Sequence, residues 1–307
     1  MVSVVLVVLG LVGLYLGGEL LVRNASVLAR AVGISPMVIG LTVVAFGTSA
    51  PELAATLVAA FRGAPELAVA NVIGSNVANI GLILGLTALV YPLAATWSFL
   101  RREVPWMLAA TVLAIPLLAD GRLGRLEGGL LWVGLAAFLV AAVRLGHAPA
   151  PPAADDDRNG RAWRTGLGAL AGVAVLAVGA HALVTGATDL AVAWGVPERV
   201  IGLTLVAVGT SLPELASSLV AALRRETDII LGNVIGSNLF NLLAVLGTAA
   251  VVHPIAVPVT GLRVDLAIMF GFAVVVVPLL LVGRRLGRVD GALLLGAYVA
   301  YTVWLFR

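Results

Sequence analysis

Two glutamates sit where an acid is least expected, inside long apolar runs. Glu52 closes Gly47-Thr48-Ser49-Ala50-Pro51-Glu52, and Glu214 closes Gly209-Thr210-Ser211-Leu212-Pro213-Glu214. An ionisable side chain within a membrane segment is costly to keep there, and it is a functional site by default. Proline removes a helical donor and clashes with the preceding turn, and glycine tolerates unusual backbone angles. Together they predict an interrupted helix that frees backbone carbonyls. Thr48 lies four residues before Glu52, and Thr210 four before Glu214, so each pair shares a helix face. A second block follows each first one: Asn71-Val-Ile-Gly-Ser-Asn-Val-Ala-Asn79 and Asn233-Val-Ile-Gly-Ser-Asn-Leu-Phe-Asn241. It places Ser75 four residues before Asn79 and Ser237 four before Asn241. Carboxylate, hydroxyl, amide and carbonyl oxygens are hard ligands, suited to sodium or calcium and poor for zinc or copper.

The elements that must position these groups are duplicated. Gly33 to Pro92 aligns without a gap to Gly195 to Pro254 at a constant offset of 162, with roughly half of the positions identical. The first crossings match weakly at the same offset. The chain of 307 residues is 61% hydrophobic and 11% charged, too apolar for a soluble domain. A helix spans the hydrocarbon core in about 20 residues, and in lipid the backbone must satisfy itself within each element. The runs are continuous and do not alternate as barrel strands do.

The expectation is an all-α membrane protein with crossings near 2–22, 36–61, 67–92, 104–119, 127–144, 165–186, 199–222, 229–253, 264–283 and 289–306. Residues 1–145 form a first five-helix repeat, 146–163 a cytoplasmic linker, and 164–307 a second. An odd number of crossings per repeat inverts the second copy, and such folds bind substrate near the midplane at the repeat interface. The linker carries prolines and Asp155 to Asp157 and reads as a solvated connector.

Other residues narrow the class. There is no cysteine, hence no disulfide and no thiolate site. Every basic residue is arginine, which removes a P-loop lysine and Schiff-base chemistry. The net charge of +3 does not indicate nucleic acid, because the arginines cluster at predicted helix ends. With the N-terminus outside, 13 of the 19 fall inside. The positive-inside bias therefore puts both termini outside and the linker in the cytoplasm. The N-terminal stretch reads as a first crossing and not as a removed signal peptide. Glu19 stands four residues before Arg23, the spacing of a helical ion pair. His181 and His253 fall near crossing ends, the tryptophans read mostly as interfacial anchors, and Thr42 and Thr204 read as packing or backbone-bonding residues. Asn71, Asn76, Asn233 and Asn238 fit a pathway lining and interhelical bonding equally well.

The paired Gly-Thr-Ser-x-Pro-Glu and Gly-Ser-Asn-x-x-Asn blocks resemble the α-repeats of the calcium/cation antiporter superfamily, nearest its prokaryotic sodium/calcium exchanger branch. The resemblance covers nearly the whole chain. It implies ten transmembrane helices as two inverted five-helix repeats around adjacent sodium and calcium positions. The implied ligands are Thr48, Ser49, Glu52, Ser75 and Asn79 with Thr210, Ser211, Glu214, Ser237 and Asn241, plus the carbonyls of Ala45 and Ala207. The first and sixth crossings would slide against the core. Some members carry aspartate at the position of Asn241, so this chain has two carboxylates where those have three.

The function expected on these grounds is calcium export against sodium by alternating access in the inner (plasma) membrane. Calcium and sodium are then the transported ions, with no cofactor and no enzymatic activity. Lipid and the ions are the partners, and nucleic acid is not one. Exchange of three sodium ions for one calcium is implied by the family. A proton- or potassium-coupled antiporter is the nearest rival. A cation channel fits less well, because channel filters lie on an axis between subunits. A hydrolase built on Ser49 or Ser211 lacks a nearby histidine or lysine base.

Overall fold

The computed structural model describes residues 2–145, 158–196, 207–256 and 259–305, so the Thr204 expectation and most of the linker lie outside the described residues. The architecture is all-helical. The first half holds α1 (Val2–Val32), α2 (Pro36–Thr48), α3 (Ala50–Phe61), α4 (Pro65–Val90), α5 (Trp97–Leu118) and α6 (Arg125–Leu145). The second half holds α7 (Arg158–Ala193), the three-residue α8 (Ala207–Gly209), α9 (Leu212–Leu223), α10 (Thr227–Val252), α11 (Val259–Leu281) and α12 (Arg288–Leu305). Six of these are long and apolar enough to cross a membrane, namely α1, α4, α6, α7, α10 and α11. The bent pair α2 and α3 makes a seventh if counted as one span.

Large apolar side chains cover much of the outside, and a set of polar ones is buried within an apolar interior. Glu52, Glu214 and a set of serines, threonines and asparagines are buried, while Val2, Leu9, Val133, Leu170, Val178 and many like them face outward. Helix α10 is buried along its entire apolar window, whereas 28% of the α1, α6 and α7 windows is buried. A large exposed apolar skin marks a lipid-facing surface.

The sequence repeat recurs as structure. Helix α3 matches α9 and α4 matches α10 at the offset of 162. The left-handed glycines Gly33 (φ 74°) and Gly121 (φ 74°) match Gly195 (φ 77°) and Gly283 (φ 71°). Helices α1 and α7 run antiparallel in close contact. A Cβ added to Gly10 would meet Leu183 N at 2.5 Å, and one on Gly172 would meet Leu21 N at 2.6 Å. Gly17 with Leu176 N (2.7 Å) and Gly179 with Leu14 N (2.8 Å) form a second such pair. Each pair maps onto the other by exchange of halves. Small residues of this kind let helix backbones approach in a membrane.

Two short strand pairings tie the halves together. Strand β1 (Leu93–Ala94), between α4 and α5, pairs antiparallel with β4 (Arg285–Leu286), between α11 and α12. Strand β2 (Arg122–Leu123), between α5 and α6, pairs with β3 (Ile255–Ala256), between α10 and α11.

Several boundaries differ from the sequence expectation. Helix α1 continues ten residues past the predicted end at 22, through Val32, and α7 spans Arg158–Ala193, beyond the predicted 165–186. The polar residues that looked like an end of α1 are satisfied along it. Asn24 Nδ2 donates to Leu20 O at 2.7 Å, and Glu19 pairs with Arg224 and not with Arg23. His181 therefore sits well inside α7, while His253 caps the end of α10, as expected. Trp106 packs edge-on to Phe138 at 6.0 Å.

Candidate ion site

The interruption expected at each proline is present. Ser49 (φ −79°, ψ 3°) separates α2 from α3, and Ser211 (φ −89°, ψ 7°) precedes α9. Helices α2 and α3 meet at 42°. By helical register, the carbonyl that Pro51 leaves without its donor is that of Gly47, and Pro213 does the same to Gly209. The Ala45 carbonyl accepts the Ser49 N–H at 3.0 Å, and the Val208 carbonyl accepts the Ser211 N–H at 3.1 Å. Among the described residues π stretches lie at Gly40–Val44, within α2, and at Asn79–Leu84 and Phe240–Val245, within α4 and α10. Such bulges concentrate at functional sites, and here two of them include Asn79 and Asn241. No residue type in the sequence demanded them.

The two halves are cross-bonded at their acids. Ser49 Oγ donates to Glu214 Oε1 at 3.2 Å, and Ser211 Oγ lies 3.0 Å from Glu52 Oε1. Ser49 is one turn from Glu52, and Ser211 one turn from Glu214, so each half presents its serine to the other half's carboxylate. Both glutamates are 1% exposed. Ser75 joins this group through Ser211 Oγ at 3.4 Å.

Around this centre Ala45, Thr48, Ser75, Asn79, Ser237 and Asn241 are buried, and Thr210 is half-buried. Thr48 Oγ1 lies 3.1 Å from Val44 O and 3.2 Å from Asn233 Oδ1. Thr210 Oγ1 lies 3.4 Å from Asn71 Oδ1. Asn79 Nδ2 donates to Asn238 Oδ1 at 3.2 Å. Ser237 and Asn241 come from α10, which presses Gly236 against Ala45 so closely that a Cβ there would lie 2.7 Å from the Ala45 Cβ.

Asn71 and Asn233 brace the site across the halves. Asn71 Nδ2 reaches Thr56 Oγ1 at 2.9 Å and Glu52 O at 3.3 Å, and Asn233 Nδ2 reaches Ser218 Oγ at 3.0 Å and Ser217 Oγ at 3.3 Å. The signal for them was available in the sequence: Asn71, Ser75 and Asn79 follow at four-residue intervals on one helix face. Ser217 and Ser218 carried no such signal. Thr42 bonds Val38 O at 2.6 Å, as its reading anticipated.

The chemistry of the site lies in the groups left over. Glu52 Oε2, Glu214 Oε2, Asn79 Oδ1, Ser237 Oγ and both polar atoms of Asn241 are buried with no hydrogen-bond partner among the described residues. Buried polar groups are ordinarily satisfied, and an unpaired buried carboxylate oxygen is among the most costly. All but the Asn241 nitrogen are hard oxygens, two of them carboxylate. Among the described residues no three acidic, histidine or cysteine side chains gather, so an ion held here takes mostly neutral oxygens.

Comparison with known proteins agrees. Residues 2–144 and 165–307 each match the family described as sodium/calcium exchanger protein. The chain is 39% identical to the putative antiporter CaxA of Alkalimonas amylolytica, over 100% of this chain and 99% of that protein. It is 33% identical to the sodium/calcium exchanger MaX1 of Methanosarcina acetivorans, over 99% of each. Among solved structures, the sodium-calcium exchanger NCX_Mj soaked with 10 mM Na+ and zero Ca2+ superimposes with a TM-score of 0.88 at 32% identity, covering 97% of each chain.

Proposed function

The protein belongs to the sodium/calcium exchanger family, a family of multi-pass secondary transporters and not enzymes, and we propose that it exports calcium against sodium by alternating access at the Glu52–Glu214 site. The observation that carries this reading is the set of buried oxygens without hydrogen-bond partners on two acids from opposite halves and on Asn79, Ser237 and Asn241. Calcium takes about six to eight oxygens at 2.3–2.6 Å. Glu52 and Glu214 neutralise its charge, and Thr48, Ser49, Ser75, Asn79, Thr210, Ser211, Ser237 and Asn241 supply neutral oxygens. The Ala45 and Ala207 carbonyls complete the proposed ligand set. Sodium would use overlapping positions, so the two ions exclude each other.

The inverted arrangement is supported by the strand pairings. Within the repeat, β1 corresponds to β3 and β2 to β4, yet β1 pairs with β4 and β2 with β3. One helix of 22 residues, α5, separates β1 from β2, so these two lie at its opposite ends. A strand of one half thus meets the counterpart of its own far end. Two inverted five-helix halves, joined by a linker that ends at or before α7, meet that condition. The arginine bias places both termini outside. With three sodium ions per calcium, one charge moves per cycle, worth about 2.3 kcal/mol per 100 mV.

The test is calcium-45 uptake into proteoliposomes loaded with sodium, potassium or a proton gradient in turn. Uptake driven by the sodium gradient alone is expected. Uptake that needs potassium, or that follows the proton gradient without sodium, would replace this reading with its rivals.

A further inference from the structure

Resting on the two-state exchange reading, we propose that Glu19 and Arg224 form a one-sided latch that holds the site closed at the Arg224 end and makes the two transport states unequal. Glu19, on α1, receives both arms of the Arg224 guanidinium, with Nε 2.7 Å from Oε2 and Nη2 on Oε1. The partners are 205 residues apart in the chain. Arg224 terminates α9, its N–H closing on Ala222 O and Val220 O, and Glu214 stands in the first turn of the same helix. The latch therefore connects the α1–α7 pair to the far end of the element that carries one of the two site carboxylates. Directly beneath it, Gly18 lies so close to α9 that a Cβ would meet Val220 Cγ2 at 3.0 Å and Ala216 O at 3.3 Å.

The counterparts of these residues are fixed by the repeat. Helices α1 and α7 exchange contacts at the offset of 162, as Gly10–Leu183 with Gly172–Leu21 shows, so Glu19 corresponds to His181. Arg62 terminates α3 through bonds to Ala60 O and Val58 O, the same device at the same offset, so Arg224 corresponds to Arg62. A histidine and an arginine cannot form an ion pair in any protonation state. The packing shares this asymmetry: α1 packs along α9, while among the described residues α7 makes no matching face against α3. In a transporter of inverted halves, the opposite state exchanges the roles of the halves. It would bring α7 onto α3 and set His181 against Arg62. One closed end then carries a bidentate charge-assisted bond, and the other carries none.

The chain has no cysteine, so two spin labels can be placed without background. Arg30→Cys reports α1. Val282→Cys reports the frame at the end of α11, which leads into β4 and its partner β1. Glu19→Gln and Arg224→Gln should each enlarge the population at the second Arg30–Val282 distance. The exchange Glu19→Arg with Arg224→Glu should restore the original distribution. His181→Glu, which leaves the native pair intact, should build the missing latch and shift the population the same way as Glu19→Gln. In flux measurements the ratio of calcium half-saturation at the two faces should change roughly threefold or more. Unchanged distances in the neutralised variants and in His181→Glu overturn the latch, as does a charge exchange that behaves like the sum of its parts. The distances need no transport. If no cation drives flux, the exchange reading falls, and the latch is still judged by them.

Discussion

Replacing Glu214 by glutamine should separate calcium from sodium. The glutamine keeps an oxygen for the Ser49 hydroxyl, which lies 3.2 Å from Glu214 Oε1, and nearly the same volume, so the local fold survives. What is lost is one of the two charges beside the orphaned oxygens. Removing one partner of a buried charge pair costs about 3–5 kcal/mol. At fixed geometry the Coulomb energy scales with the ion's charge, so a loss of about 3 kcal/mol for calcium corresponds to about 1.5 kcal/mol for sodium. That is over a hundredfold in calcium affinity against roughly tenfold in sodium affinity. The assay is thermal protection of the purified protein titrated with calcium in sodium-free buffer, then with sodium alone, since ligand stabilisation follows the ratio of concentration to Kd. Glu52→Gln should behave alike. Equal losses for the two ions would mean that the glutamate acts through the fold and not through its charge. Unchanged calcium protection would remove it from the site.

Three further outcomes follow from the same geometry. Asn241→Asp adds a third carboxylate where both amide atoms lack partners, and should lower the calcium midpoint by about tenfold or more in the same titration. Asn233→Ala leaves Thr48, Ser217 and Ser218 short of a buried partner and should cost about 1–3 kcal/mol, read as earlier thermal unfolding, with a smaller loss for half-buried Asn71→Ala. Gly17→Ala and Gly172→Ala put a methyl against backbone at 2.7 and 2.6 Å and should abolish most exchange, while Gly271→Ala, which meets nothing within 4 Å, should leave flux intact.

Much of this site is legible in the sequence because its determinants are local and written twice. Pro51 and Pro213 break their helices by covalent geometry, and Thr48, Glu52, Ser75 and Asn79 are aligned by four-residue spacing alone. The cross-bonding of Ser49 to Glu214 and of Ser211 to Glu52 is not legible, because it depends on how two segments more than 150 residues apart meet. The error at Glu19 has the same origin: Arg23 satisfies the local rule, and a partner on the other half of the molecule outcompetes it. The end of α1 was missed because Asn24 and Glu19, polar residues near it, are satisfied by the Leu20 carbonyl and by Arg224. The π stretches leave no mark in composition.

The central claim is that one metal ion is shared by acids from opposite halves. Crystals soaked in calcium or strontium, read by anomalous scattering, test it most directly. A single peak with carboxylate oxygens of both Glu52 and Glu214 within about 2.3–2.6 Å, as calcium requires, is the expected result. A peak bonded to one glutamate only, or one seated away from both, would contradict it.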